Sequence, residues 1–161
     1  MKDALGGSAL LNLVIFFVSA IIILFISTLT YSKAYRVKNR IVEIIEKYGV
    51  YEHQNNGTID DAIDEINPFL NASGYDSTNP TRCDEVREKL VQEKYDSGLL
   101  SENINSYGYN YCVFRVNNSV NLSGGYYVVV AFTQFKFPVI DRLLNVPVYS
   151  ETKILGKVYD Y

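Results

Sequence analysis

His53 is the only histidine, set beside Gln54 and Asn55. A general acid or base needs a pKa tuned by burial or by a neighbour. The polar run around His53 offers neither, so it reads as a solvated side chain. Asp60, Asp61, Asp64 and Glu65 cluster on one short stretch. Paired carboxylates could exchange protons there, but acids gather at helix N-termini through the helix dipole alone. Cys83 and Cys112 are the only cysteines, and two cysteines with one histidine cannot complete a four-ligand Cys/His zinc site. They could close a loop of about 28 residues as one disulfide, a gain of a few kcal/mol in the chain-entropy model. Asp76-Ser77-Thr78-Asn79 offers oxygen ligands without the spacing and closing glutamate of a calcium loop. Gly124-Gly125 precedes a strand pattern, whereas a phosphate loop precedes a helix. The expectation is a protein that is not an enzyme, with no catalytic residues, metal, cofactor or small-molecule substrate.

The 161 residues carry a net charge of −3 and are 48% hydrophobic. The length suits one modest domain. The weakly acidic total argues against a nucleic-acid partner, and the apolar content against wholesale disorder. No charged residue occurs between Asp3 and Lys33, and Leu10–Leu29 is apolar except for Asn12, Ser19, Ser27 and Thr28. Twenty helical residues span about 30 Å, the hydrocarbon thickness of a bilayer. A soluble amphipathic helix would show a polar stripe, and a small domain could hardly cover such a helix on all sides. A cleaved secretory signal has a shorter apolar run and a small-x-small site, which Ser27-Thr28-Leu29-Thr30-Tyr31-Ser32 does not supply. The segment therefore reads as a single-pass membrane anchor with the lipid bilayer as a partner.

Helical periodicity continues beyond it. Val37, Ile41, Ile44, Ile45 and Tyr48 share one helix face, and neither proline nor glycine interrupts Ser8–Tyr48. Gly49 fits a helix stop. From Tyr51 onward, fifteen Asp or Glu oppose nine Lys or Arg, whereas Thr30–Val50 holds five bases and two acids. A basic neck thus leads to an acidic head. Thr58 and Asp61 suggest a helix cap. Ile59, Ala62, Ile63 and Ile66 continue at helical spacing, and Pro68 should end that helix near Ile66. A second helix is expected from Thr81 to Tyr95, with a thin apolar edge of Val86, Leu90 and Val91, after a loop over Asn71–Pro80.

The last third reads as strands over Tyr109–Val116, Tyr126–Phe137 and Val146–Ile154, the third at an edge because of Pro147. Alternation of Thr133, Phe135 and Phe137 with Gln134 and Lys136 predicts one wet face. An antiparallel meander covered by the neck stripe follows. Four Asn-X-Ser/Thr sequons (Asn56, Asn71, Asn117 and Asn121) accompany a high asparagine content.

Gly6-Gly7-Ser8-Ala9-Leu10-Leu11-Asn12, the apolar helix after it and Tyr35-Arg36 at its exit resemble type IV pilin-like proteins. The resemblance is closest to TadE-type pseudopilins of tight-adherence pilus systems. Val128-Val129-Val130 through Phe137-Pro138, then Val146-Pro147-Val148 and Glu151, resembles that family's strand–proline–strand ending. The resemblance covers the two ends of the chain rather than Tyr51–Tyr107. It implies a pilin-like α+β fold: a leader over 1–7, a transmembrane helix over 8–32, its amphipathic continuation over 33–49, and a head over 50–161. It also implies cleavage by a prepilin peptidase between Gly7 and Ser8. The family's glutamate at the fifth mature position is replaced here by Asn12, which keeps a hydrogen bond but not an ion pair with a neighbouring subunit's amine.

The implied partners are other pilins or pilus-assembly membrane proteins. The implied placement is an N-terminus in the cytoplasm and the head outside. The disulfide agrees with that placement; Lys33, Arg36, Lys38 and Arg40 oppose it on the positive-inside rule. The expected function is a minor pseudopilin or assembly component of a pilus or secretion machinery. The alternative is a stand-alone, membrane-anchored binding or adhesion domain.

Overall fold

The computed structural model describes residues 2–49, 59–75, 81–96, 98–105, 111–117, 125–133 and 146–153. Its elements are α1 (Lys2–Tyr48), α2 (Ile59–Ala72), α3 (Thr81–Glu93), β1 (Tyr111–Asn117), β2 (Gly125–Phe132) and β3 (Pro147–Glu151). The chain is α+β, with a long apolar N-terminal helix and a small antiparallel sheet. α1 is one unbroken helix of 47 residues, about 70 Å long. It runs through Gly6 and Gly7, so the backbone on both sides of the expected processing position is helical. Gly49, at φ 42°, closes it where expected.

The strands lie in the order β1-β2-β3, both pairs antiparallel. Val113 faces Val129 across the first pair, and Ala131 faces Val148 across the second. The expected wet face is not found over β1 and β2. Over Tyr111–Val116 and Gly125–Phe132 their side chains are buried on both sides, except that Arg115, Gly125 and Tyr126 are partly exposed. One face carries Tyr111, Val113, Tyr127 and Val129 into a cluster with Val37, Ile41, Ile44 and Ile45 of α1 and Ala62, Ile66 and Leu70 of α2. The other carries Cys112, Phe114, Val116, Val128, Val130 and Phe132 into a cluster with Cys83, Val86 and Leu90 of α3. Tyr126–Phe132 is a nearly continuous apolar run, the pattern of a strand buried twice. The alternation that suggested a wet face falls on 134–137, outside the described residues.

The strand ends also differ from expectation. β2 stops at Phe132, and β3 spans only Pro147–Glu151. β3 is an edge strand, as Pro147 required. The outer edge of β1 is answered by an adjoining segment, with Ser101 N–H bonding Arg115 C=O and Ile104 N–H bonding Val113 C=O.

α2 corrects a second expectation. It runs through Pro68 to Ala72 instead of stopping near Ile66. Proline denies Asp64 its helical donor, but Pro68 lies on the exposed side. The extra turn buries Leu70 completely and is closed by glycine. Gly74, at φ 61°, takes the left-handed position. Its N–H bonds Asn71 C=O, and Tyr75 N–H bonds Leu70 C=O at 2.9 Å. That pairing is a Schellman motif, with Tyr75 and Leu70 supplying its apolar contact. The Tyr75 hydroxyl donates to Phe132 C=O and accepts from Phe132 N–H, joining the end of α2 to the end of β2.

Replacing Gly74 with alanine forces a Cβ into the left-handed region and should cost about 1–2 kcal/mol. Ile45→Ala, at a fully buried position, should cost about 2–5 kcal/mol. Chemical denaturation in detergent, followed by circular dichroism, checks both.

Candidate functional site: a long apolar helix clasped by its head

Among the described residues, one helix is long and apolar enough to cross a membrane. Leu10, Leu13, Phe17, Ile21, Leu24 and Phe25 are all exposed. A lipid-facing backbone must satisfy its polar groups internally, and the hydroxyls here do so. Ser19, Ser27, Thr28 and Thr30 each donate to the carbonyl four residues earlier, at 2.7 to 2.9 Å. The Asn12 side chain is exposed and makes no hydrogen bond to another described residue.

Successive helical residues turn by about 100°. On that wheel Asn12, Ser19, Ala20, Ser27 and Thr30 fall within about a third of the circumference. Ala34, Val37, Ile41, Ile44 and Ile45, the buried stripe of the neck, continue the same third. Phe16 and Ile23 fall in that third as well, whereas Phe17, Ile21 and Leu24 lie outside it. The head therefore sits on the side of α1 that carries Asn12, Ser19, Ala20, Ser27 and Thr30, together with Phe16 and Ile23, below it. This alignment could have been read by continuing the wheel of the neck back through Thr30.

The neck is held along its length. Lys33 Nζ donates to Gly74 C=O at 3.2 Å, at the C-terminus of α2. Lys38 is 5% exposed, its ammonium 4.1 Å from the centre of the Tyr35 ring. Lys47 pairs with Glu65 at 2.8 Å, and Glu46 accepts from Lys153 N–H at 2.9 Å. The acidic cluster is thus divided: Asp60, Asp61 and Asp64 are exposed, while Glu65 is committed to the neck. Hydrogen bonds from Lys47, then from Tyr48, hold the Glu65 carboxyl below the usual range.

Cys83 at the start of α3 and Cys112 on β1 form a disulfide, 5.7 Å between Cα atoms. It fastens α3 to the sheet, as the sequence suggested. A groove of about 420 Å³ lies between the end of α3 and β3. Leu90, Tyr95, Val128 and Tyr149 supply its apolar lining, with Lys94 and Glu151 as its ion pair. Glu151 also accepts from the Tyr95 hydroxyl at 2.6 Å. The bond from Lys94, then that from Tyr95, lowers its pKa. Both carboxylate partners are structural, and no group of three potential metal ligands occurs among the described residues.

His53 and Asp76–Asn79 lie outside the described residues, as does Gly124. Gly125 opens β2 opposite Asn117, where an added Cβ would meet Val116 C=O at 2.8 Å. Close strand approach accounts for that glycine. Sequence reasoning missed Tyr75, since nothing periodic marks it within a stretch of turn residues. Burial, opposed by its bond to Phe132, raises its pKa; burial, followed by bonds to Glu151 and Tyr126, raises that of Tyr95.

No protein-family model, curated protein or solved structure matches this chain.

These shifts set the pH window of stability. Glu65 and Glu151 stabilise the fold when ionised, a contribution lost as pH falls through their depressed pKa values, below about pH 4. Tyr75 and Tyr95 stabilise it when protonated, a contribution lost as pH climbs above about 10. Thermal melting across pH should give a plateau falling on both sides, and Glu151→Gln should soften the acid limb.

Proposed function

We propose that the protein is a non-catalytic, single-pass membrane subunit of pilin type. In this reading it is a minor pseudopilin or assembly component of a tight-adherence or type IV-like pilus or secretion machinery. The observation that carries this reading is the single unbroken helix, on which the side that holds Asn12, Ser19 and Ala20 in the apolar half continues into the head-bearing side of the neck. Without a hydrophobic drive between helices in lipid, association relies on close packing at small residues and on side-chain hydrogen bonds. Ser19 and Ala20 permit close approach, and Asn12 brings an unused amide. The head then offers its surface to neighbouring subunits or to the assembly platform.

We place the N-terminus in the cytoplasm and the head outside. A disulfide persists in oxidising compartments, which supports this side. Of the neck bases, which favour the opposite orientation on the positive-inside rule, Lys33, Arg40 and Lys47 have structural partners in Gly74, Glu43 and Glu65 and Lys38 lies over the Tyr35 ring, which leaves Arg36. Protease treatment of intact cells should therefore digest the head, and a protected head would reverse the orientation. The groove beside Tyr149 supports a second reading, an anchored binding or adhesion domain that acts alone.

Site-specific cross-linking through position 20 should capture neighbouring pilin-type helices, and a prepilin peptidase should shorten the chain by about seven residues, after Gly7. Asn12→Leu should lower the cross-linked fraction about 3- to 20-fold, the range of one interhelical hydrogen bond in a membrane. A chain beginning at Ser32, which keeps the neck stripe, should run as a water-soluble monomer on size-exclusion chromatography. Oligomers of that head, or an absence of cross-links in the full chain, would favour the second reading.

A further inference from the structure

The lower end of the head is built at one level. α2 descends antiparallel to α1, its Glu65 beside Lys47 and its closing turn beside Lys33. The Tyr75 hydroxyl reaches Phe132 at the end of β2. Arg82, at the start of α3, lies 5.7 Å from the centre of the Phe132 ring. Val146 adjoins it, since Thr133 N–H bonds Val146 C=O. Four elements therefore end or begin beside Lys33.

That level is set relative to lipid by the helix itself. Lys33 and Arg36 stand four and seven residues beyond Leu29, about 6 and 10 Å along the axis. A headgroup layer is about 5–8 Å deep on each side of the hydrocarbon. Tyr31 and Tyr35, 51% and 46% exposed, lie in the same band, where tyrosine's apolar body and polar tip are both accommodated.

Charge separates along the same axis. Higher on the molecule, Arg40 pairs with Glu43, Lys47 with Glu65, Lys94 with Glu151 and Lys153 with Glu46; Lys38 is buried over the Tyr35 ring and Arg87 is bound to the Leu100 and Ser101 carbonyls, while Lys89, midway along α3, forms no ion pair with another described residue. At the lower end, Lys33, Arg36 and Arg82 have no carboxylate partner among the described residues, and neither Asp84 nor Glu85 forms an ion pair with Arg82. Three cations without a carboxylate partner among the described residues thus gather at the neck end of an acidic head.

We infer that this lower end is an electrostatic foot that binds anionic phospholipid headgroups through Lys33, Arg36 and Arg82. Each base near such a surface contributes enough to change the seated population about fivefold. The contact seats the head on the leaflet and offsets repulsion of its acidic surface. The inference rests on the anchoring reading above and adds a lipid requirement that the anchor alone does not have.

The sequence contains no tryptophan, so Val146→Trp gives the full-length chain a unique reporter at the foot. The chain is reconstituted into phosphatidylcholine vesicles with or without phosphatidylglycerol, both containing a brominated lipid quencher. Quenching should be several-fold stronger with phosphatidylglycerol and should fall at high salt, which screens exposed charges. Arg36→Gln, at an exposed position without a partner among the described residues, should reduce seating about fivefold; adding Arg82→Gln should reduce it further. Because Lys33 also caps α2, its substitution is not needed for the test. A chain that floats with both vesicle types but shows equal quenching overturns the foot alone. A chain that floats with neither overturns the anchoring reading, and the foot with it.

Discussion

Val37, Ile41, Ile44 and Ile45 enter the same cluster as Val113 and Val129. That contact makes the neck part of the head. Each such side chain contributes about 1.5–3 kcal/mol on burial, so four of them match the net stability of a whole small domain. The neck is therefore a core element, and cutting the chain at the base of the head would remove part of the fold. It also follows that the apolar half of α1 and the head have no hinge between them, because one hydrogen-bonded helix crosses the junction.

The remaining elements complete the cover that this contact begins. One helix cannot hide a three-stranded sheet, so α2 shares the first face and α3 takes the second. α3 has a thin apolar edge, and its attachment is reinforced covalently through Cys83–Cys112 and by Arg87, which donates to Leu100 and Ser101 carbonyls. At the lower end Tyr75 completes the hydrogen bonding of Phe132, where β2 runs out of partner strand.

Features written in local periodicity were legible in the chain. The long helix, its stop at Gly49, the stripe from Val37 to Ile45, three antiparallel strands and the cysteine pair all follow from spacing and residue type. Pro68 misled because a local penalty was set against burial of Leu70 and the Gly74 turn, contacts made with other elements. The second sheet face was missed because the alternation lay at 134–137, beyond the strand that forms, while Cys83, Val86 and Leu90 approach from a helix that scarcely looks amphipathic. Asn12 was noticed as a departure from a family pattern. Its place beneath the head required the helix phase to be carried back from the neck into the apolar half.

The coincidence of faces on α1 limits the geometry of any assembly. A second helix lying against Asn12, Ser19 and Ala20 stands directly under an overhanging mass. Two identical subunits cannot meet there at equal height, because their bulky tops would claim the same space. Either the neighbour has a slimmer crown, or successive copies climb along the axis like steps of a spiral stair.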